Sequence, residues 1–198
     1  MRISKIYRSF AKILNSTEMT FDKIIADGRL WAVRYKGEKV NALEKVLDQW
    51  RDAGWLADFF TQNIDDLISY FNVTNVEDAI YQTMEERDDL ACMIMDISPN
   101  ANLDHFFRPL ENNRTSEIIL GKEKGRPNQH SWLRLYAIKL NIGIYIITGG
   151  AIKLTRTMQE RKHTLQELEN MEKVRSFLII ENVFDEDSFT DYQKEIQL

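Results

Sequence analysis

Two β-patterned runs, Trp132 to Leu140 and Ile144 to Leu154, flank Asn141-Ile-Gly143, and this pair constrains the chain more than any other feature. A short connection containing glycine folds such runs back on each other as an antiparallel hairpin. Gly149-Gly150 interrupts the second run and predicts a bulge or a close approach of backbone. A hairpin exposes apolar surface that another layer must cover. The covering element follows directly, because Leu165, Leu168, Met171, Val174 and Leu178 recur at helical spacing. Thr164 followed by Glu167 reads as the capping box that starts this helix.

Upstream, Arg29 to Lys36 reads as a further strand closed by Gly37, and Asn41 with Glu44 reads as a capping box. Helical spacing then carries Leu43, Val46, Leu47 and Trp50, and after Gly54 a second stripe of Leu56, Phe59, Phe60, Leu67, Ile68 and Phe71. Thr74 and Glu77 repeat the cap signature before a long helix, with Val76, Ala79, Ile80, Thr83, Leu90, Ala91 and Ile94 inward and Glu85, Glu86, Asp88 and Asp89 outward. Ser98-Pro-Asn ends that helix, and a short amphipathic piece follows from Leu103 to Leu110. Residues 111–131 read as loop, with Ile118 to Leu120 a short strand, and the tail after Asn182 is expected to pack only in part. The expected fold is α+β: a small, mainly antiparallel sheet of Arg29–Lys36 and the hairpin on several helices, one face covered and one available. With no repeat and no Pro/Gly-rich tether, 1–198 is read as a single domain, comprising an acidic helical region (41–106) and a basic hairpin-helix unit (132–178).

Charge is segregated more than the net −5 suggests. Residues 1–40 carry +5, with Arg2, Lys5, Arg8 and Lys12 among apolar residues; 41–106 carry −11, 107–163 carry +7 and 164–198 carry −6. Clustered cations of this kind suit a phosphate backbone. Cys92 is the single cysteine, so no internal disulfide can form; its run Leu90-Ala-Cys-Met-Ile94 predicts core packing. His105, His130 and His163 share no metal-ligand spacing, and no nucleotide fingerprint, P-loop or Ser-His-Asp pattern is present, so neither metal nor cofactor is expected. No apolar run approaches the roughly 20 residues that span a bilayer, and a cytoplasmic location is expected. Nothing in the pattern speaks to oligomeric state.

The chemistry-bearing residues lie around the hairpin. Period-two alternation predicts Trp132, Arg134 and Tyr136 on one strand face, an arginine between aromatics that can clamp a phosphate while rings stack on bases. Past the second strand come Lys153, Arg156, Arg161, Lys162 and His163. RNA cleavage by a 2′-hydroxyl needs a base, an acid and cations for the phosphorane charge. Arg134, Lys153 and Arg156 suit the charge, and Tyr136 or His163 the proton transfers.

Leu133-Arg-Leu-Tyr-Ala137, the turn, Ile144-Tyr-Ile-Ile-Thr-Gly-Gly-Ala-Ile152, then Lys153-Leu-Thr-Arg-Thr-Met158 and a helix resemble the C-terminal half of RelE/HigB-like toxins. Arg134 and Tyr136 match that family's Arg-aromatic strand; Lys153 and Arg156 match its lysines after the next strand. Met158 stands where the family has proline, and Leu154 where it has a second lysine. The resemblance implies a small, metal-independent endoribonuclease directed at RNA or the ribosome and neutralised by an antitoxin protein. The alternative is a non-enzymatic interaction module whose acidic and basic surfaces neutralise each other.

Overall fold

Among the described residues, the sheet built around the hairpin has six strands, twice the number expected. The computed structural model describes residues 19–99, 101–110, 120–141 and 143–195. Its strands are β1 (Met19–Lys23), β2 (Leu30–Tyr35), β3 (Phe107–Pro109), β4 (Gly121–Gly125), β5 (Leu133–Lys139) and β6 (Tyr145–Ile152). They lie side by side in the order β1-β2-β6-β5-β4-β3, antiparallel throughout except where β2 runs parallel to β6. The turn behaves as its composition demands: Leu140 N–H donates to Ile144 C=O at 2.9 Å and Gly143 adopts φ 92°. The glycine doublet marks both features expected of it. Tyr136 pairs with Gly149 but Ala137 with Ile147, so Thr148 is the extra residue of a bulge.

β4 lies in the stretch expected to be loop, because Gly-Lys-Glu-Lys-Gly is poor in β-formers. It pairs along β5 through Lys122↔Ile138 and Lys124↔Tyr136, which leaves Glu123 buried on one face and both lysines on the other. The expected strand at Ile118–Leu120 falls mostly outside the described residues, as do the basic residues of 1–18; Leu120 itself is left-handed, at φ 61°. β3 replaces the latter part of the amphipathic piece from Leu103 to Leu110.

The helices are α1 (Ala42–Gln49), α2 (Ala53–Gln62), α3 (Ile64–Phe71), α4 (Val76–Met95), α5 (Lys162–Ile180) and α6 (Glu186–Glu195). Asn41 and Glu44 form the expected capping box of α1. The single run after Gly54 is broken at Asn63 into α2 and α3. At α4 the cap is Asn75, which accepts from the Glu77 N–H at 2.9 Å, one residue beyond Thr74. Thr164 caps nothing. Its hydroxyl donates back to the Met158 carbonyl at 2.6 Å from within the first turn of α5, and the capping box is Thr157 with Glu160 in the preceding 3₁₀ turn (Met158–Glu160). Glu167 is thereby released to face the sheet.

Helices cover both faces, where one covered face was expected. α1 to α4 bury Leu43, Trp50, Phe60, Leu67 and Leu90 against Leu133, Leu135 and Ile147. α5 and α6 bury Met171, Val174, Leu178 and Phe189 against Val33, Ile138 and Ile146. The acidic tail contributes because Phe189 and Tyr192 meet Phe21 edge-on, with ring centroids at 5.6 and 6.1 Å. On α4 the inward stripe is Ala79, Thr83, Glu86, Leu90 and Ile94. Glu86 is buried rather than outward because its carboxylate accepts from the Ser131 hydroxyl at 2.5 Å and from Gln82 Nε2 at 2.9 Å. Cys92 stands two residues from Leu90, about 200° around the helix, and is exposed, against the expectation of core packing. No helix among the described residues is long and apolar enough to cross a membrane.

Candidate functional site

On the α5 side of the sheet, α5 lies over β6 and β5, and beyond it the surface over β4 and β3 opens as a basin of about 780 Å³. Among the described residues, seven Lys/Arg side chains line it: Arg108 from β3, Lys122 and Lys124 from β4, Arg126 after β4, Arg134 from β5, and Lys153 and Arg156 beyond β6. All seven come from the basic block of residues 107–163. No aspartate or glutamate lines the basin among the described residues. The strand period explains the convergence, since Lys122, Lys124, Arg134 and Tyr136 occupy alternating positions on paired strands and share one face.

The hydrogen bonds hold these cations in place mostly without neutralising them. Arg134 donates to its own strand's entry, the Ser131 and Leu133 carbonyls, at 2.5 and 2.6 Å. Lys153 donates to the carbonyls of Thr155 and, at 2.6 Å, Arg156. Lys124 donates to the Leu110 carbonyl at 3.0 Å and Arg126 to that of Gln129 at 2.9 Å. Lys122 meets a carboxylate, that of Glu172, at 3.3 Å. A carbonyl oxygen fixes a cation's position but leaves its full charge, which an arriving anion can satisfy. The crowding shows in proton affinities: burial, then the neighbouring guanidinium of Arg134, lowers the pKa of both Lys124 and Lys153, and burial, then Arg126, lowers that of Arg134.

Apolar groups complete the walls. Phe106 packs over Gly125, where an added Cβ would stand 2.4 Å from its ring, and Met158 and Leu168 line the opposite side. Tyr136 is fully buried in the floor, and its hydroxyl has no hydrogen-bond partner among the described residues. Burial raises the pKa of that phenol although Arg134 works against the rise, so it serves as a hydrogen-bond donor more readily than as an ionised base. His105, exposed, supplies an imidazole at the rim.

Of the residues singled out in the sequence, Arg134, Tyr136, Lys153 and Arg156 come together here. His163 does not: its ring packs edge-on to Phe59 at 5.1 Å and its Nε2 lies 2.9 Å from the Ile152 carbonyl. Trp132 faces the opposite way from Arg134 and Tyr136, because it precedes β5, where alternation has not begun. It sits among Phe60 and Phe71 with Nε1 donating to Thr83 Oγ1 at 2.9 Å. Arg161 is turned outward into a two-point pair with Asp66 at 2.7 and 2.6 Å. Sequence reading missed Arg108, Lys122, Lys124, Arg126 and His105. The one available signal was the Lys-x-Lys alternation of β4 between two glycines.

Fold and site together define an α+β protein with a cationic basin at the uncovered end of a mostly antiparallel sheet. No family model matches the chain, and no curated protein or solved structure matches it at a significant level.

Proposed function

We propose that the chain is an RNA-directed, toxin-like protein whose basin holds the phosphates of a single-stranded RNA. The observation that carries this reading is the convergence of seven cations on one concavity, held chiefly by carbonyl oxygens. Phosphates on a flexible strand can follow such a surface, while Phe106 and His105 offer aromatic contact to bases. The resemblance of the hairpin to RelE/HigB-like toxins points the same way. In the cleavage chemistry of that class, Arg134, Lys153 and Arg156 would meet the charge that grows on phosphorus, and the rim imidazole would exchange protons with a 2′-hydroxyl.

Inducible expression tests the reading, with growth and RNA integrity followed together. The wild type is expected to arrest growth, and Arg134→Ala or Lys153→Ala to relieve the arrest. A folded Arg134→Ala protein that remains fully toxic would contradict the role given to the basin. The second reading, a protein-interaction module, draws on one observation: acidic α4 presents Tyr81 and Met95 at 73% and 83% exposure. A stable protein partner captured without growth arrest or RNA binding would favour it.

A further inference from the structure

Beside the basin, between α5 and β6, lies a carboxyl group that the reading above leaves unused. Glu167 of α5 reaches down onto β6 at Gly149, and a Cβ added there would stand 1.9 Å from its Oε2. Gly149 is the direct cross-strand partner of Tyr136, so the carboxyl group, coming down from α5 onto Gly149, and the phenol, rising from β5, meet the same face of the sheet. Both Glu167 Oε2 and Tyr136 Oη are buried, and neither has a hydrogen-bond partner among the described residues. Two orphaned polar atoms this close in the fold, beside a concavity built for anions, call for a shared role.

We propose that Glu167 is the positioning residue of the basin, its charge state setting whether the buried O–H dipole of Tyr136 points toward a bound phosphate or away from it. With the carboxyl group neutral, no negative charge stands beside the floor, and the phenol O–H can turn its positive end toward the basin. With it ionised, the phenol proton is drawn inward and the buried charge opposes the anion. The inference rests on the basin being a phosphate site.

The groups around Glu167 fit this role. Tyr35 of β2 cannot substitute, because its hydroxyl already donates to the Thr148 carbonyl at 2.7 Å. Asn170 on the same helix donates to Oε1 at 3.3 Å, which leaves Oε2 unsatisfied. Lys45 of α1 is the cation that acts on the carboxyl group, and it is itself paired with Glu38 at 2.6 Å. Burial outweighs Asn170 and Lys45, pushing the Glu167 pKa up to about 7, so the group changes state in the range where cells work. Gly149 keeps the place open: any side chain there would occupy the carboxyl oxygen's position.

The experiment measures binding of a short fluorescent single-stranded RNA by anisotropy, at constant ionic strength, on either side of about pH 7. Wild-type affinity is expected to weaken about fivefold as pH rises through that range, the scale of one partly screened charge. Glu167→Gln, neutral and of the same shape, should hold the tight affinity across the range. Glu169→Gln, which removes the same charge from the exposed side of α5, should keep the wild-type slope. Equal pH slopes in wild type and Glu167→Gln would overturn the proposal, as would a slope that disappears in His105→Gln alone, since the proton would then belong to the rim imidazole. RNA binding that is absent at every pH would instead overturn the phosphate-site reading itself, and this inference with it.

Discussion

Replacing Glu167 by glutamine should make the protein more stable at neutral and alkaline pH, although it removes a native side chain. The folded state raises this carboxyl from its ordinary 4.5 to about 7, so between those values the native protein holds a proton that the unfolded chain has released. Stability contributed by a group of that kind is complete below about 4.5 and is lost as pH rises through about 7. At ~1.4 kcal/mol per pH unit the full loss is on the order of 3 kcal/mol, an upper figure because a buried carboxylate draws in water or shifts its helix. Urea unfolding of wild type and Glu167→Gln at several pH values gives the difference directly, and the other carboxylates cancel in it. The two proteins should have similar stability below about pH 4.5, and the variant should gain from there to about pH 7 and hold that gain above it. A variant that is less stable by a constant amount at every pH would show that the ionised carboxylate is satisfied in the fold, and would refute the reasoning.

Three further outcomes follow from the packing. Trp132→Ala empties a fully buried site between Phe60 and Phe71 and removes the indole N–H that the Thr83 hydroxyl accepts, while that hydroxyl keeps its own bond to the Ala79 carbonyl. It should cost about 3–5 kcal/mol in urea unfolding, and a loss below about 1 kcal/mol would mean that the helices refill the gap. Gly150→Ala would place a Cβ 2.8 Å from the Arg134 carbonyl and 2.9 Å from the Trp50 ring, so a loss of about 1–3 kcal/mol is expected in the same assay, and a neutral result would show that β5 can move aside. Cys92 should react with a thiol reagent in the folded protein as fast as in the unfolded chain, since it stands on the outer face of α4; protection would show that face to be covered.

The hairpin was legible because its turn chemistry, alternation and glycine doublet all point to one structure, and consistency of that kind is what specifies a fold. The helix that packs on it was legible from spacing alone. The other half of the sheet was not, for two physical reasons. β4 gains its strand geometry by pairing along β5 rather than from its own propensity, and β3 holds only three residues. The tail's share of the cover was also hidden, because it is acidic overall and buries itself through Phe189 and Tyr192, which are two isolated rings in the sequence. At the site, Arg134, Tyr136, Lys153 and Arg156 could be picked out because they lie on or beside the hairpin. Arg108, Lys122, Lys124 and Arg126 reach the basin through strand pairing that no local window contains. His163 and Glu167 changed roles for one reason: the true capping box is Thr157 with Glu160, which leaves the histidine against Phe59 and turns the glutamate to the sheet.

The salt dependence of single-stranded RNA affinity tests the basin most directly. Each phosphate contact with a single strand contributes a slope of roughly −0.7 in log affinity against log salt. A steep negative slope is expected for the wild type. It should become shallower by about that amount when Arg134 or Lys153 is replaced by alanine, and stay unchanged when Lys194, paired with Asp191 on α6, is replaced. An affinity that ignores salt, or a slope that Lys194→Ala alters as much as Arg134→Ala does, would contradict the claim that these cations form one phosphate-binding surface.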